Sequence, residues 1–246
     1  MQEDNNIIEL INVHKSYKTT TILKDINLSV KQGEFTSIRG KSGVGKSTLL
    51  KILGFLETPD EGTIKLFGQD ITKLNDNQLS NLRLKNIGFV FQFFNLLPSL
   101  TVQENIELPL ALASIKKAER KQRITDLLKY FGLEHLTERF PENLSGGEKQ
   151  RIAIIRAIAN NPKIIIADEP TSSVDDENAQ LLMNLLTAIN KNQKVTIIMA
   201  TTDLYEKLPV TKNYLLKDAQ LREKESEAKI KILKKDCVKV SETTKF

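Results

Sequence analysis

Apolar and polar positions alternate from Ile7 to Tyr17 (IIELINVHKSY), and alternate again from Ile22 to Val30 (ILKDINLSV). A period of two is the pattern of a strand with one covered face. A turn at Gln32-Gly33 leads to a third strand, EFTSIR. After Arg39 the character changes: a Gly/Ser-rich loop, GKSGVG, runs into KSTLLKILGF, whose apolar residues have helical spacing. Turn signals at Pro59-Asp60 and Glu61-Gly62 then precede a short strand, TIKLFG.

From about Phe93 to Leu144 the pattern differs. After the connection FFNLLPSLTVQENIELPL, the segment IKKAERKQRITDLLKYFGL places Ile115, Ile124, Leu127, Leu128 and Phe131 at spacings that suit an amphipathic helix. The region reads as a helical insertion. A helix follows from about Glu148 to Asn160, with Pro162 helping to end it. KIIIAD is a continuous apolar strand of the kind covered on both faces. A further helix (about Asp176 to Lys191), a second buried strand (VTIIMA) and a weaker strand pair (NYLLKDAQLRE) complete the alternation. Strands alternating with helices imply an α/β core of three layers. The last stretch, ESEAKIKILKKDCVKVSETTKF, has no clear place in that core.

Composition narrows the classes. The chain has 246 residues, 40% of them apolar and 27% charged, enough to bury a core without disulfides or structural metals. Cys237 is the single cysteine, so no intrachain disulfide can form. No apolar run approaches the ~18 residues of a membrane span, and MQEDNNIIEL lacks the basic and apolar regions of a secretory signal. A peripheral membrane protein remains open. The formal charge is +5, and Lys217 to Lys245 contributes nine basic and six acidic residues, a net of +3. A solvated basic tail is the first reading of that excess, with attraction to nucleic acid or to an anionic leaflet behind it. With no Trp and no interleaving of basic and aromatic residues, no nucleic-acid partner is expected.

The strongest chemical signal is Gly40-Lys41-Ser42-Gly43-Val44-Gly45-Lys46-Ser47-Thr48, which satisfies G-x-x-x-x-G-K-[ST] between a predicted strand and a predicted helix. Glycines let successive N–H groups turn inward around a phosphate, and the helix N-terminus adds its field. Lys46 can reach outer phosphates and the Ser47 hydroxyl can ligate Mg2+. A chance match in a chain this long is a roughly 1% event at ordinary residue usage. The second signal is Asp168-Glu169 at the end of Ile164-Ile-Ile-Ala, where ligands sit in open α/β sheets. Asp168 is placed to hold Mg2+ through water and Glu169 to polarise an attacking water. The third, Leu144-Ser145-Gly146-Gly147-Glu148-Lys149-Gln150-Arg151, opens a helix with small residues. It reads first as a second anion-binding N-terminus, and alone it could also be a plain capping box of Ser145 and Glu148.

Together these stretches resemble the nucleotide-binding subunit of ATP-binding cassette (ABC) transporters over about residues 7 to 220. The resemblance implies an ABC-type P-loop NTPase fold. Residues 1–92 and 146–220 would form the ATP-binding core with an antiparallel β subdomain, 93–145 a helical signature subdomain, and 221–246 a basic tail. It implies ATP and Mg2+ as ligands, and two subunits packed head to tail. In that arrangement, a homodimer or a heterodimer, Ser145, Gly146 and Gly147 of one subunit face the γ-phosphate held by Lys46 of the other. Gln92 matches the glutamine that links Mg2+ and water to the helical subdomain. Tyr17 matches the aromatic that stacks on adenine, though alone it would be a strand-end tyrosine. Asp175, in Ser172-Ser-Val-Asp, matches a residue that communicates across the dimer.

One position departs from the pattern. Thr202, in Ala200-Thr-Thr-Asp203, stands where the family usually has a histidine that contacts the γ-phosphate. His14 and His135 lie elsewhere, and both are expected to be solvent-facing or structural. Loss of one positioned polar group near developing charge costs ~10²–10³ in rate, so slow hydrolysis with binding largely kept is expected. The stretch FVFQ-x-FNLLP-x-LT-x-x-EN-x-x-LPL is similar to the lipoprotein-release, macrolide-export and antimicrobial-peptide-resistance branch, with the cell-division ATPase as a cousin. That branch implies a few-helix permease with a large extracytoplasmic domain, docked near Gln92 against Phe93, Phe94, Leu96 and Leu97, and a place on the cytoplasmic face of the membrane. The competing expectation is a slow nucleotide-gated switch.

Overall fold

A computed structural model describes residues 5–203 and 208–224. Two sheets make the frame. The smaller, antiparallel one has the order β2-β1-β4-β5, from β1 (Asn6–Tyr17), β2 (Thr20–Lys31), β4 (Glu61–Leu66) and β5 (Gln69–Asp70). The larger has the order β10-β9-β3-β8-β7-β6, from β3 (Phe35–Arg39), β6 (Ile87–Val90), β7 (Ile164–Asp168), β8 (Thr196–Thr201), β9 (Lys212–Lys217) and β10 (Gln220–Lys224). It is parallel except for β10, so the sheet is mixed. This is the expected fold class, a helix-flanked mixed sheet with an antiparallel N-terminal part. The β9–β10 hairpin runs to Lys224, past residue 220.

Side-chain alternation on the buried strands divides the interior in two. Ile165, Ala167, Ile197 and Met199 point to one core, shared with α5 (Gly146–Ile158), α6 (Asp176–Gln193) and the inserted helices. Ile164, Ile166, Ile198 and Ala200 point to the other, shared with α1 (Lys46–Leu53) and the antiparallel sheet. The middle of each central strand is therefore apolar on both faces, as residues 164–167 of β7 and 197–200 of β8 are. Gly88 on β6 lies so close to α5 that a Cβ there would stand 2.3 Å from the Ala157 carbonyl oxygen.

Two helices are additional to the expected elements. α2 (Asp76–Asn86) starts at a capping box between Asn75 and Gln78. α3 (Val102–Leu112) starts at another between Thr101 and Glu104, and it carries Pro109 inside. The insertion continues with α4 (Lys117–Tyr130), which buries Ile124, Leu127 and Leu128 as expected, and with two short 3-10 turns. The buried Asn105 fixes the entry to α3: its amide donates to the carbonyls of Leu97, Leu100 and Thr101, and its carbonyl accepts from Leu97 N–H.

α5 opens on a reciprocal box. Ser145 Oγ accepts from the Glu148 N–H, and the Glu148 carboxylate accepts from the Ser145 N–H and hydroxyl. The Ser145 N–H and hydroxyl hold the Glu148 carboxyl below its usual range. Ser145→Ala should lower stability by about 1 kcal/mol near neutral pH, read by denaturant unfolding. A carboxyl depressed in the fold stabilises above its unfolded pKa and stops doing so as pH falls through its folded pKa. The gap between wild type and variant should therefore narrow in acid.

Candidate functional site

Parallel pairing brings three strand ends together. Arg39 registers with Thr201 across β3 and β8, and Asp168 with Ala200 across β7 and β8. The carboxyl ends of β3, β7 and β8 thus hold, side by side, the start of the Gly40–Thr48 loop, the Asp168-Glu169 pair and the segment with Thr202.

The loop wraps as its glycines require. Gly43 and Gly45 have φ of 78° and 106°, and a Cβ on Gly45 would stand 2.6 Å from Ile22 Cγ2. Gly40 has no room either: a Cβ would stand 2.7 Å from the Leu216 carbonyl and 2.8 Å from Val44 Cγ2. Lys41, Ser42 and Gly43 form the exposed crown. Lys46 is 5% exposed. Its ammonium donates to the carbonyls of Gly40 (3.0 Å) and Lys41 (3.1 Å) and stands 3.3 Å from Glu169 Oε1.

The acidic pair is built for two environments. Burial pushes the Asp168 carboxyl above its usual range, against the opposing pull of the nearby Ser47 hydroxyl. Asp168 Oδ1 is buried without a hydrogen-bond partner, an arrangement that costs free energy unless something is supplied to it. A carboxylate oxygen waiting beside a serine hydroxyl is a hard-oxygen donor set suited to Mg2+, so the residues fit the expected metal. Glu169 has a positive φ, 45°, and its N–H donates to the Ala200 carbonyl. This turn takes its carboxylate out of the strand toward Lys46. Thr202 is exposed directly after β8. It is bracketed by two bonds to the neighbouring strand: Gly40 N–H donates to the Thr201 carbonyl, and Arg39 Nη1 donates to the Asp203 carbonyl.

Gln92 lies two residues beyond β6, which ends at Val90, so it belongs to a turn and not to the strand GFVFQ. Its carbonyl accepts from Ser173 Oγ at 2.9 Å. The fully buried Gln150 joins the same parts: its Nε2 donates to the Pro170 carbonyl at 2.7 Å and lies 3.5 Å from the Phe91 carbonyl. Arg156 donates to the carbonyls of Phe94 and Asn95, both in left-handed conformation. α5 thereby grips both the turn after β6 and the turn after Glu169. Gln150 stood inside a motif read for its glycines, and its role was visible only once its burial was known.

Gly146 and Gly147 pack against the turn before α6 and its first residues. A Cβ on Gly147 would stand 2.3 Å from Asn178 Oδ1, and one on Gly146 3.5 Å from the Ser173 carbonyl. Asp175 caps α6, accepting from the N–H and the amide of Asn178, whose backbone N–H is the main cause of its lowered carboxyl pKa. Tyr17, at the end of β1, donates to the carboxylate of Glu57, in the segment that follows α1. Of the stretch expected to receive a permease, Phe93 is 73% exposed and Leu97 43%, whereas Leu96 packs on the core. His14 pairs with Asp25 at 2.9 Å, and His135 is exposed.

Comparison with known proteins bears on the whole arrangement. The ABC transporter sequence profile matches residues 23–172. The chain belongs to the ABC transporter family. It is an ATP-binding cassette of the family's ATPase type. It is 44% identical to the lipoprotein-releasing system ATP-binding protein LolD of Cytophaga hutchinsonii, over 82% of this chain and 90% of that one. It is 45% identical to the methionine import ATP-binding protein MetN 2 of Enterococcus faecalis, over 81% of this chain. The cassette spans 59% of MetN 2 and 44% of an H family ABC transporter protein of Dictyostelium discoideum, so those relatives are much longer. A dimeric post-hydrolysis state of the cassette MJ0796, bound to ADP and Pi, superposes with a TM-score of 0.81 at 41% identity, covering 88% of this chain and 97% of that one. No described helix is long and apolar enough to cross a membrane.

Gly45→Ala places a side chain both at a left-handed φ and against Ile22. ATP binding by isothermal titration should fall at least tenfold, while the core strands, judged by circular dichroism, persist.

Proposed function

We propose that this cassette is the ATP-hydrolysing subunit of a membrane transporter, and that it works as a head-to-tail pair with ATP between the copies. The observation that carries the reading is the grouping of Lys46, Glu169, Asp168 and Ser47 at the ends of β3 and β7. Lys46 leaves its carbonyl partners to meet the β- and γ-phosphates. Ser47 and Asp168 would hold Mg2+, with Asp168 Oδ1 as the acceptor in waiting. Bound there, Mg2+ neutralises charge on the phosphate oxygens. Glu169, freed from Lys46 by the arriving phosphates, orients water for in-line attack. Ser145, Gly146 and Gly147 of a second copy complete the site with their helix N-terminus. Asp175, which caps α6 beside Gly147 of its own chain, communicates across the dimer. Tyr17 stacks on the base.

Gln92 transmits closure to the insertion, because its carbonyl is tied to Ser173 and its turn to α5. The exposed Phe93 and Leu97 receive an integral permease, which holds the cassette on the cytoplasmic face. The FVFQ-x-FNLLP stretch favours a few-helix permease of the export, lipoprotein-release or resistance type. The exposed Thr202 favours a second reading, a nucleotide-gated switch with weak turnover.

Glu169→Gln should abolish steady-state hydrolysis and give an ATP-dependent dimer by analytical ultracentrifugation. A monomer in saturating ATP would remove the head-to-tail assignment. Thr202→His should raise turnover by about 10-fold or more if the lost donor is the rate-limiting deficit. Unchanged turnover, with tight ATP binding retained, would move the balance to the gated switch.

A further inference from the structure

A ring used for stacking has to stay open to its ligand, yet an open aromatic side chain has torsional freedom that binding must remove. Tyr17 is 44% exposed, and it is nonetheless held at its far end. Its hydroxyl lies 2.6 Å and 2.7 Å from the two oxygens of Glu57, in the segment that follows α1. The same carboxylate stands 3.4 Å from the Lys15 ammonium. Lys15 in turn donates to Asp60 Oδ1 and to the Thr58 carbonyl, both at 2.9 Å, and its ammonium sits over the Tyr17 ring, 5.7 Å from the centroid. Asp60 Oδ2 accepts from the Ser16 N–H. Lys15 and Glu57 are nearly covered, with side chains 12% and 19% exposed. Thus β1 and the segment 57–60 are laced together around one phenol.

From this geometry we infer that Glu57, with Lys15 behind it, is a positioning residue that sets the Tyr17 ring for a nucleotide base. The inference rests on the reading of Tyr17 as the base-stacking residue. The carboxylate fixes the ring by its hydroxyl, the ammonium occupies one face, and the other face is left for the base. Glu57 lies in the segment that follows α1, the helix that the phosphate loop opens, so the anchor of the ring and the phosphate loop belong to one continuous segment. Glu57 carries no motif signature: it lies in a turn region, and only its distance to Tyr17 marks it.

The test is isothermal titration of the full chain with ATP and, separately, with inorganic tripolyphosphate, which has phosphates and no base. One charge-assisted hydrogen bond sets the size of the effect. Glu57→Ala and Tyr17→Phe should each weaken ATP by about 3- to 10-fold and leave tripolyphosphate unchanged. The double variant should be no weaker than either single one. Glu57→Gln keeps an acceptor for the phenol and should stay within about twofold of wild type. Equal losses for ATP and tripolyphosphate in Glu57→Ala would show a general structural role and overturn the inference. So would wild-type ATP binding in Glu57→Ala where Tyr17→Ala is impaired. Tyr17→Ala with wild-type ATP affinity would instead remove the stacking role itself, and the inference with it.

Discussion

A lysine ammonium that is almost fully covered must be met by acceptors, because an unpaired buried charge costs several kcal/mol. Much of this molecule can be read as the means of meeting Lys46. The glycines of its loop curl so that the carbonyls of Gly40 and Lys41 face back onto it. β7 is followed at once by the left-handed Glu169, a turn that brings its carboxylate to 3.3 Å from the Lys46 ammonium. Parallel register sets the ends of β3, β8 and β7 level, and the two cores clamp those strands from both faces. The arrangement satisfies the cation without solvating it deeply. A polyanion is a better partner than two carbonyls and one carboxylate, so the resting contacts are replaceable by phosphates.

The same exchange explains the contrast within the acidic pair. Glu169 has a cation and is spoken for. Asp168 has a serine hydroxyl on one side and nothing on Oδ1, and burial raises its pKa. Two adjacent carboxylates with different surroundings can take different tasks. One is held in reserve by Lys46, and the other is left short of a partner that a divalent cation would provide.

How far the sequence spoke depends on the physics of each part. The central strands were legible because burial on both faces demands uninterrupted apolar runs, and the phosphate loop because tight backbone turns demand glycine at fixed spacing. α3 was hidden by Pro109, which argues locally against a helix and is tolerated here where Asn105 and the Thr101–Glu104 box fix the first turn. α2 was hidden by its weak apolar pattern: Leu79 is its one buried residue, and only the Asn75–Gln78 box announces it. The grip of Gln150 and Arg156 on two turns, and of Glu57 on Tyr17, joins residues 20 to 62 positions apart or 40 apart. No spacing rule reaches that far, so these contacts became visible only with the fold.

Those long-range contacts also bear on how Thr202 can be accommodated. A histidine at this position would offer a longer donor that can carry charge. A threonine is shorter, so its usefulness depends on how well the backbone around it is fixed. Here Gly40 holds the carbonyl before it, and Arg39 holds the carbonyl after it while also binding Asn213 on β9. The segment is therefore anchored to the strand that opens the phosphate loop. Preorganisation of the backbone can recover positioning, but it cannot restore the missing charge or reach. The phosphate loop and the acidic pair are thus in place beside a threonine whose backbone is held on both sides, and the proposed slow turnover rests on that one shorter side chain.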